Sequence, residues 1–293
     1  MIDRPIFILG NIRSGTTILY NLVAAHPELC WFTYRSDAKP SSNAGAASLR
    51  LLGAPLLGAL QRRAIIANRP NRVTMHIFPW PAEGDRIYHE YCGFGTQADG
   101  LETKLTTEME ARLCAVIEAH LRASGKKRFL SKQTANNRRL DILQRMFPDA
   151  VYVHLIRDGR AVASSMLREP WWPDTHVWWL GRKASQWTPE FRDAAELAAV
   201  YWQRTVETVR EFGARAGNCY LEVRYEQLTR NPRAVVEQIM AHARLAPVPA
   251  YLRSLPASLP GSDSKWRSNL NQQQQAHVSE AIGGFLRELG YPA

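Results

Sequence analysis

Apolar residues follow two rhythms along this chain. Short unbroken runs bounded by turn formers, Ile6-Phe7-Ile8-Leu9 and Val151-Tyr152-Val153-His154-Leu155-Ile156, have the pattern of buried parallel strands. Phe129-Leu130 and Tyr220 to Val223 read as two more. Elsewhere the spacing is helical. Ile18, Leu19, Leu22 and Val23 share a face from Thr16 to His26, where Pro27 stops the helix. Leu113, Val116, Ile117 and Leu121 do the same between Glu108 and Ser124, ahead of Gly125. Helices are also expected over Leu140 to Phe147, Gly159 to Leu167 and Asp193 to Ala216. Asn231-Pro232 is a good N-cap and first-turn pair for a helix to Ala243, and a last helix runs near Gln273 to Leu289.

The stretch from 36 to 125 is less regular. Ser41 to Gly45 reads as loop, Leu49 to Ala67 as an amphipathic helix broken at Gly53-Ala54-Pro55, and Pro79-Trp80-Pro81 as a turn. Strands alternating with helices imply an α/β fold, a central parallel sheet flanked by helices on both faces. Without a repeat or a long linker, residues 1–293 are expected to form one domain, with 36–125 as its variable, acceptor-binding region.

Composition narrows the partners. The net charge is +10, from 37 Lys+Arg against 27 Asp+Glu, which favours anionic ligands. No block of five like charges occurs, so nucleic acid is not expected as a partner. Cys30, Cys92, Cys114 and Cys219 are far apart and form no CxxC pair, as expected of reduced thiols in a cytoplasmic protein. The first residues enter a strand at once, without the pattern of a signal peptide, and no apolar run is long enough for a transmembrane segment. Oligomeric state is not readable.

The candidate chemistry begins at Gly10-Asn11-Ile12-Arg13-Ser14-Gly15-Thr16-Thr17, between the first strand and the first helix. A nucleotide-triphosphate loop reads G-x-x-x-x-G-K-[ST]. Here the glycine spacing is kept, Thr16 replaces the lysine, and Arg13 supplies a cation inside the loop. Helix-start N–H groups and the hydroxyls of Ser14, Thr16 and Thr17 suit a phosphate or sulfate, and a guanidinium suits an oxyanion. A second segment, His154 to Ser165, ends its strand at Arg157 where a magnesium-dependent ATPase would commonly carry an aspartate. An arginine there can grip a phosphate but cannot hold a metal, and a helix bending back over the sheet edge could bring Ser165, eight residues on, to the same phosphate.

Together these segments resemble the PAPS-dependent sulfotransferases, PAPS being 3′-phosphoadenosine 5′-phosphosulfate. The Arg-Ser-Gly-Thr-Thr form is similar to the branch with tyrosylprotein and many bacterial enzymes. Phe129-Leu130-Ser131-Lys132, Arg224-Tyr225-Glu226-Gln227-Leu228 with Asn231-Pro232, and Ser264-Lys265-Trp266-Arg267 resemble further family segments. The resemblance implies a P-loop NTPase-like sulfotransferase fold and PAPS as co-substrate without a metal. It implies that Arg13 to Thr17 cradle the 5′-phosphosulfate, that Arg157 and Ser165 hold the 3′-phosphate, and that Lys132 contacts the transferring sulfuryl group. Tyr225, Lys265 and Arg267 complete the implied cofactor-binding set. The reaction implied is transfer to a hydroxyl, with an amine as second choice, of a glycan, lipid or secondary metabolite.

One family feature is missing. Tyrosylprotein-type relatives carry a glutamate downstream of the loop where this chain has Thr33, Tyr34 and Arg35. Asp37 and Glu83 are therefore the candidate general bases, ahead of His76, His89 and Glu90. Pro170-Trp171-Trp172-Pro173, Trp178-Trp179 and Trp187 suggest either an aromatic wall of the acceptor cleft or core packing. Two readings compete with the sulfotransferase: a P-loop kinase that has lost its lysine, and a non-catalytic nucleotide-binding protein.

Overall fold

The computed structural model describes residues 2–68, 70, 75, 78–94, 106–186, 190–261 and 264–292. The first apolar run forms β1 (Ile6–Leu9), with all four side chains buried. Complete burial requires cover on both faces. Ile6 and Ile8 pack with α1 (Thr16–Ala24) and with Val153 and Leu155 on one side. Phe7 and Leu9 pack with Phe147, Tyr152 and Phe212 on the other.

Next come β2 (Leu29–Cys30), α2 (Tyr34–Ala38), α3 (Ala44–Ser48), a 3-10 turn at Leu49–Gly53, α4 (Pro55–Ile66), α5 (Asp85–Cys92) and α6 (Thr107–Ser124). The alternation then resumes with β3 (Arg128–Lys132), α7 (Leu140–Met146), β4 (Val151–Ile156) and α8 (Gly159–Met166). A small antiparallel hairpin, β5 (His176–Val177) and β6 (Arg182–Lys183), precedes α9 (Ala194–Ala216) and β7 (Tyr220–Arg224). The chain ends in α10 (Tyr225–Arg230), α11 (Pro232–Ala243), α12 (Pro249–Ser254), α13 (Trp266–Asn269) and α14 (Gln272–Glu288).

The main sheet has the order β2-β3-β1-β4-β7 with every pair parallel. After β1 the chain winds through β2 and β3 on one side, then crosses to β4 on the other. The carboxyl end of β1 is thus a topological switch point, where open α/β sheets form their ligand crevice. A third apolar cluster joins α8, α9 and α14 beyond that edge.

The expected break at Gly53-Ala54-Pro55 is the junction between the 3-10 turn and α4. The stretch expected as loop at Ser41 to Gly45 instead enters α3 at Ala44. Packing explains the difference: a Cβ on Gly45 would lie 2.4 Å from the Ser36 nitrogen, so glycine lets α3 close onto α2. Among the described residues no helix is long and apolar enough to cross a membrane.

His154 on β4 is fully buried, its Nδ1 2.6 Å from the Tyr220 hydroxyl. Burial, assisted by Arg210 and Arg224, pushes its pKa down to about 3. The unfolded chain takes up this proton near the ordinary value of about 6.5, whereas the native state resists it. Stability is therefore full above that value and falls as pH drops towards 3. Burial lowers His26 and His120 in the same direction. Thermal unfolding should show a Tm that declines steadily below pH 6.5, and H154Q should decline less steeply than wild type. A flat Tm through this window would contradict the assignment.

Candidate active site

The loop after β1 runs close to its neighbours. Gly10 has φ 145°, and a Cβ there would meet the Leu155 carbonyl oxygen at 2.6 Å. Gly15 has φ 91°, and its Cβ would meet the Tyr225 ring at 2.6 Å. Only glycine combines those backbone angles with that approach. Between them Arg13 adopts φ 67°, a left-handed conformation that costs a non-glycine residue about 1 kcal/mol. Asn137 holds the loop start, accepting from the Gly10 N–H at 3.1 Å and donating to its carbonyl at 2.9 Å. Gly15 is the N-cap of α1 and offers no capping side chain, so the first-turn N–H groups keep their anion-binding capacity.

Each strand bordering the switch point delivers a functional group at its carboxyl end. β1 leads into the loop, β3 ends at Lys132, β4 is followed by Arg157, and β7 runs into Tyr225. The Lys132 side chain is buried among these elements, its Nζ 3.2 Å from the Thr17 hydroxyl and in contact with the Glu83 carboxylate. Arg157 lies over the Tyr225 ring at 4.3 Å and donates to the Arg13 carbonyl at 3.0 Å. Arg13 in turn donates from Nε to the Ser165 hydroxyl at 3.0 Å and pairs with Glu169 at 2.9 Å. The loop and the Arg157–Ser165 pair are therefore in direct contact.

These groups line one cleft of about 810 Å³. It receives Arg13, Gly15, Thr16, Thr17, Glu83, Lys132, Arg157, Ser165, Tyr225 and Lys265. Among the described residues five basic side chains line it (Arg13, Lys132, Arg157, Arg168, Lys265) against three carboxylates (Glu83, Asp85, Asp174), so an anion is the favoured occupant. Ser14 lies beneath, buried, its hydroxyl without a hydrogen-bond partner among the described residues. Arg267 lies elsewhere: it stacks on Trp266 at 4.6 Å and borders a separate hollow of about 420 Å³ with Arg160 and Arg224.

The two candidate bases part company. Asp37 Oδ1 accepts from the backbone N–H groups of Arg86 and Ile87 at 2.9 and 3.2 Å, capping the start of α5. Burial raises its pKa, and it does not border the cleft. Glu83 does border it. Pairing of Ala82 N–H with the Phe32 carbonyl at 2.8 Å, and of Tyr34 N–H with the Trp80 carbonyl at 3.2 Å, lays 80–83 beside 32–34. A carboxylate remote in sequence thus arrives next to the segment where the resemblance places a glutamate.

Asp85, missed in the sequence, also lines the cleft and accepts from Gln133 at 2.8 Å, while Gln133 accepts from buried Arg139 at 3.0 Å. A helix first-turn aspartate so close to Glu83 was the only signal available. His89 and Glu90 do not line the cleft, and His76 and Trp187 fall outside the described residues. The tryptophans divide: Trp172 is buried edge-on against Tyr201 and Trp178 packs on Tyr201 and Trp179, whereas Trp171 is 41% exposed and faces the cleft.

The sulfotransferase family model matches residues 5–249. A curated relative, the nodulation protein NoeE of Sinorhizobium fredii, is 23% identical over 323 aligned residues. That alignment takes in 97% of this chain, which spans 65% of the relative's length. Among solved structures, sulfotransferase STF9 from Mycobacterium avium superposes with a TM-score of 0.67 at 16% identity, covering 100% of this chain and 78% of that one. The sulfotransferase domain from the curacin biosynthetic pathway gives 0.54 at 14% identity, covering 99% of each chain. At such identities these structures speak for the fold.

Asn137 satisfies both backbone polar groups of buried Gly10. Asn137→Ala should cost about 2–3 kcal/mol in chemical denaturation, because both groups lose their partner away from water. Unchanged stability would show that Asn137 is dispensable to the loop.

Proposed function

Since the chain belongs to the sulfotransferase family, we propose that it transfers a sulfuryl group from PAPS to the hydroxyl of an acceptor. The carrying observation is the convergence on one cleft of the Arg13 loop, Lys132 and the Arg157–Ser165 pair. The residues suit such a donor. Ser14 holds a buried hydroxyl without a partner among the described residues, the start of α1 at Gly15 has no side-chain cap, and the lining is cationic. When bound, PAPS would supply an activated sulfate, with adenosine 3′,5′-bisphosphate as the leaving group.

Each protein group then has a role that its position supports. The amides of Gly15, Thr16 and Thr17 would hold the 5′ end through the α1 dipole. Arg157 and Ser165 would hold the 3′-phosphate, which no ATP carries, with Tyr225 and Lys265 at the same wall. Arg13 and Lys132 would neutralise charge growing on the sulfuryl oxygens, preorganised by Ser165 and Glu169 and by Thr17 and Glu83 respectively. Glu83 would take the acceptor proton, since its carboxylate reaches the cleft and that of Asp37 is occupied by the α5 backbone. Both competing readings fare worse. A kinase lacks its loop lysine, and the family match is to group-transfer enzymes.

Calorimetry with adenosine 3′,5′-bisphosphate should show tight binding, with ATP much weaker. Arg157→Ala should weaken that binding by about tenfold to a hundredfold, the size of a charge-assisted contact. Equal affinity for both nucleotides, or an indifferent Arg157→Ala, would defeat the donor assignment. Glu83→Gln should bind the bisphosphate normally yet sulfate acceptors in a cell extract about a hundredfold more slowly or worse, as loss of a general base does. Full activity in that variant would remove Glu83 from the mechanism.

A further inference from the structure

Four of the large apolar side chains that the fold leaves exposed lie in one short stretch: Leu51 at 38%, Leu56 at 81%, Leu57 at 40% and Leu60 at 60%. The last three sit on α4, where spacings of one and four residues place them on one face. Arg63, seven residues after Leu56 and exposed, continues the same stripe. The opposite face is fixed to the body. Ile65 and Ile66 are buried with Leu49 and Leu52 in the main core. A Cβ on Gly58 would stand 2.3 Å from the Leu52 carbonyl oxygen, so backbone meets backbone there. Arg62 donates to that same carbonyl. The helix is locked and cannot roll to hide its leucines.

Charge selects the partner. Between Asp37 and Glu83 the sequence holds no acidic residue, yet it carries Lys39, Arg50, Arg62, Arg63, Arg69 and Arg72. Exposed Arg50 and Arg63 flank the leucines at either end. Outward leucines with flanking arginines, in a stretch of sequence free of carboxylates, are what an interfacial helix presents to anionic lipid headgroups. We propose that α4 and the preceding turn dock this protein on an anionic bilayer surface, with the leucines entering the acyl boundary. Asn68, just past the end of α4, lines the cleft, so docking would place its mouth beside the bilayer. An acceptor presented from that surface would reach the site without leaving the membrane. The docking itself does not depend on which donor the cleft uses.

Co-sedimentation of the purified full chain tests this, with vesicles of phosphatidylcholine alone and of an equal mixture with phosphatidylglycerol. Wild type should pellet with the mixed vesicles, remain largely in solution with the neutral ones, and be released by high salt. The triple variant Leu56→Ser, Leu57→Ser, Leu60→Ser should lose affinity for mixed vesicles by about tenfold or more. Because these side chains face outwards, it should melt like wild type and still bind adenosine 3′,5′-bisphosphate. A second variant, Arg50→Gln with Arg63→Gln, keeps the leucines and should lose the preference for anionic vesicles. The proposal falls if wild type stays in solution with both vesicles, or if the serine variant pellets undiminished. It also falls if wild type is a dimer by light scattering and the serine variant a monomer, since the face would then serve a second copy of the chain.

Discussion

The cleft depends on how closely the chain can pass itself at the carboxyl end of β1. Gly10 runs against the carbonyl of Leu155 on the neighbouring strand, and Gly15 against the ring of Tyr225 at the end of β7. Tyr225 carries the Arg157 guanidinium on its face, and Arg157 donates to the carbonyl of Arg13 within the loop. A side chain at either glycine would push the loop off the sheet and part these groups together. The loop's shape and the placement of both arginines are thus one steric solution.

Coupling across the cleft runs through Arg13. Its left-handed backbone accompanies a side chain that reaches Ser165 on α8 and Glu169 just beyond its end. The loop proposed for the 5′ end therefore touches the serine proposed for the 3′ end. A doubly anionic nucleotide would meet a charge array whose members already orient one another, which limits the reorganisation its binding requires. Lys132 plays the matching part on the other side, buried and held between Thr17 and Glu83.

The irregular region between α1 and α6 serves two ends. Its later part returns to pair with residues 32–34 and brings Glu83 and Asp85 to the cleft wall. Its earlier part packs one apolar face into the core and turns another outwards on α4. The stretch from 38 to 82 carries basic residues and no carboxylate, and Asn68 within it lines a cleft that is itself cationic.

Much of this was legible in the residues because the signals were local. Unbroken apolar runs marked the long strands, Pro or Gly stops bounded α1, α6, α9 and α14, Asn231-Pro232 opened α11, and the glycine spacing marked the loop between β1 and α1. Local order also put Arg157 and Ser165 eight residues apart across a strand end and a helix, and both line the cleft. What the sequence could not decide were contacts between segments far apart along the chain. Asp37 and Glu83 looked alike as loop carboxylates, but backbone pairing at Phe32–Ala82 turns one to the cleft and helix capping turns the other away. The tryptophans could not be sorted before Tyr201 of α9 met Trp172 and Trp178 and left Trp171 outside. Nor could the sequence show which apolar face of α4 is buried, because Gly58 fixes it by meeting a carbonyl that only the folded chain brings near. Spacing along the chain determined the elements and the glycine loop, whereas the pairing of remote backbone and the room left for a Cβ decided which polar groups share the cleft.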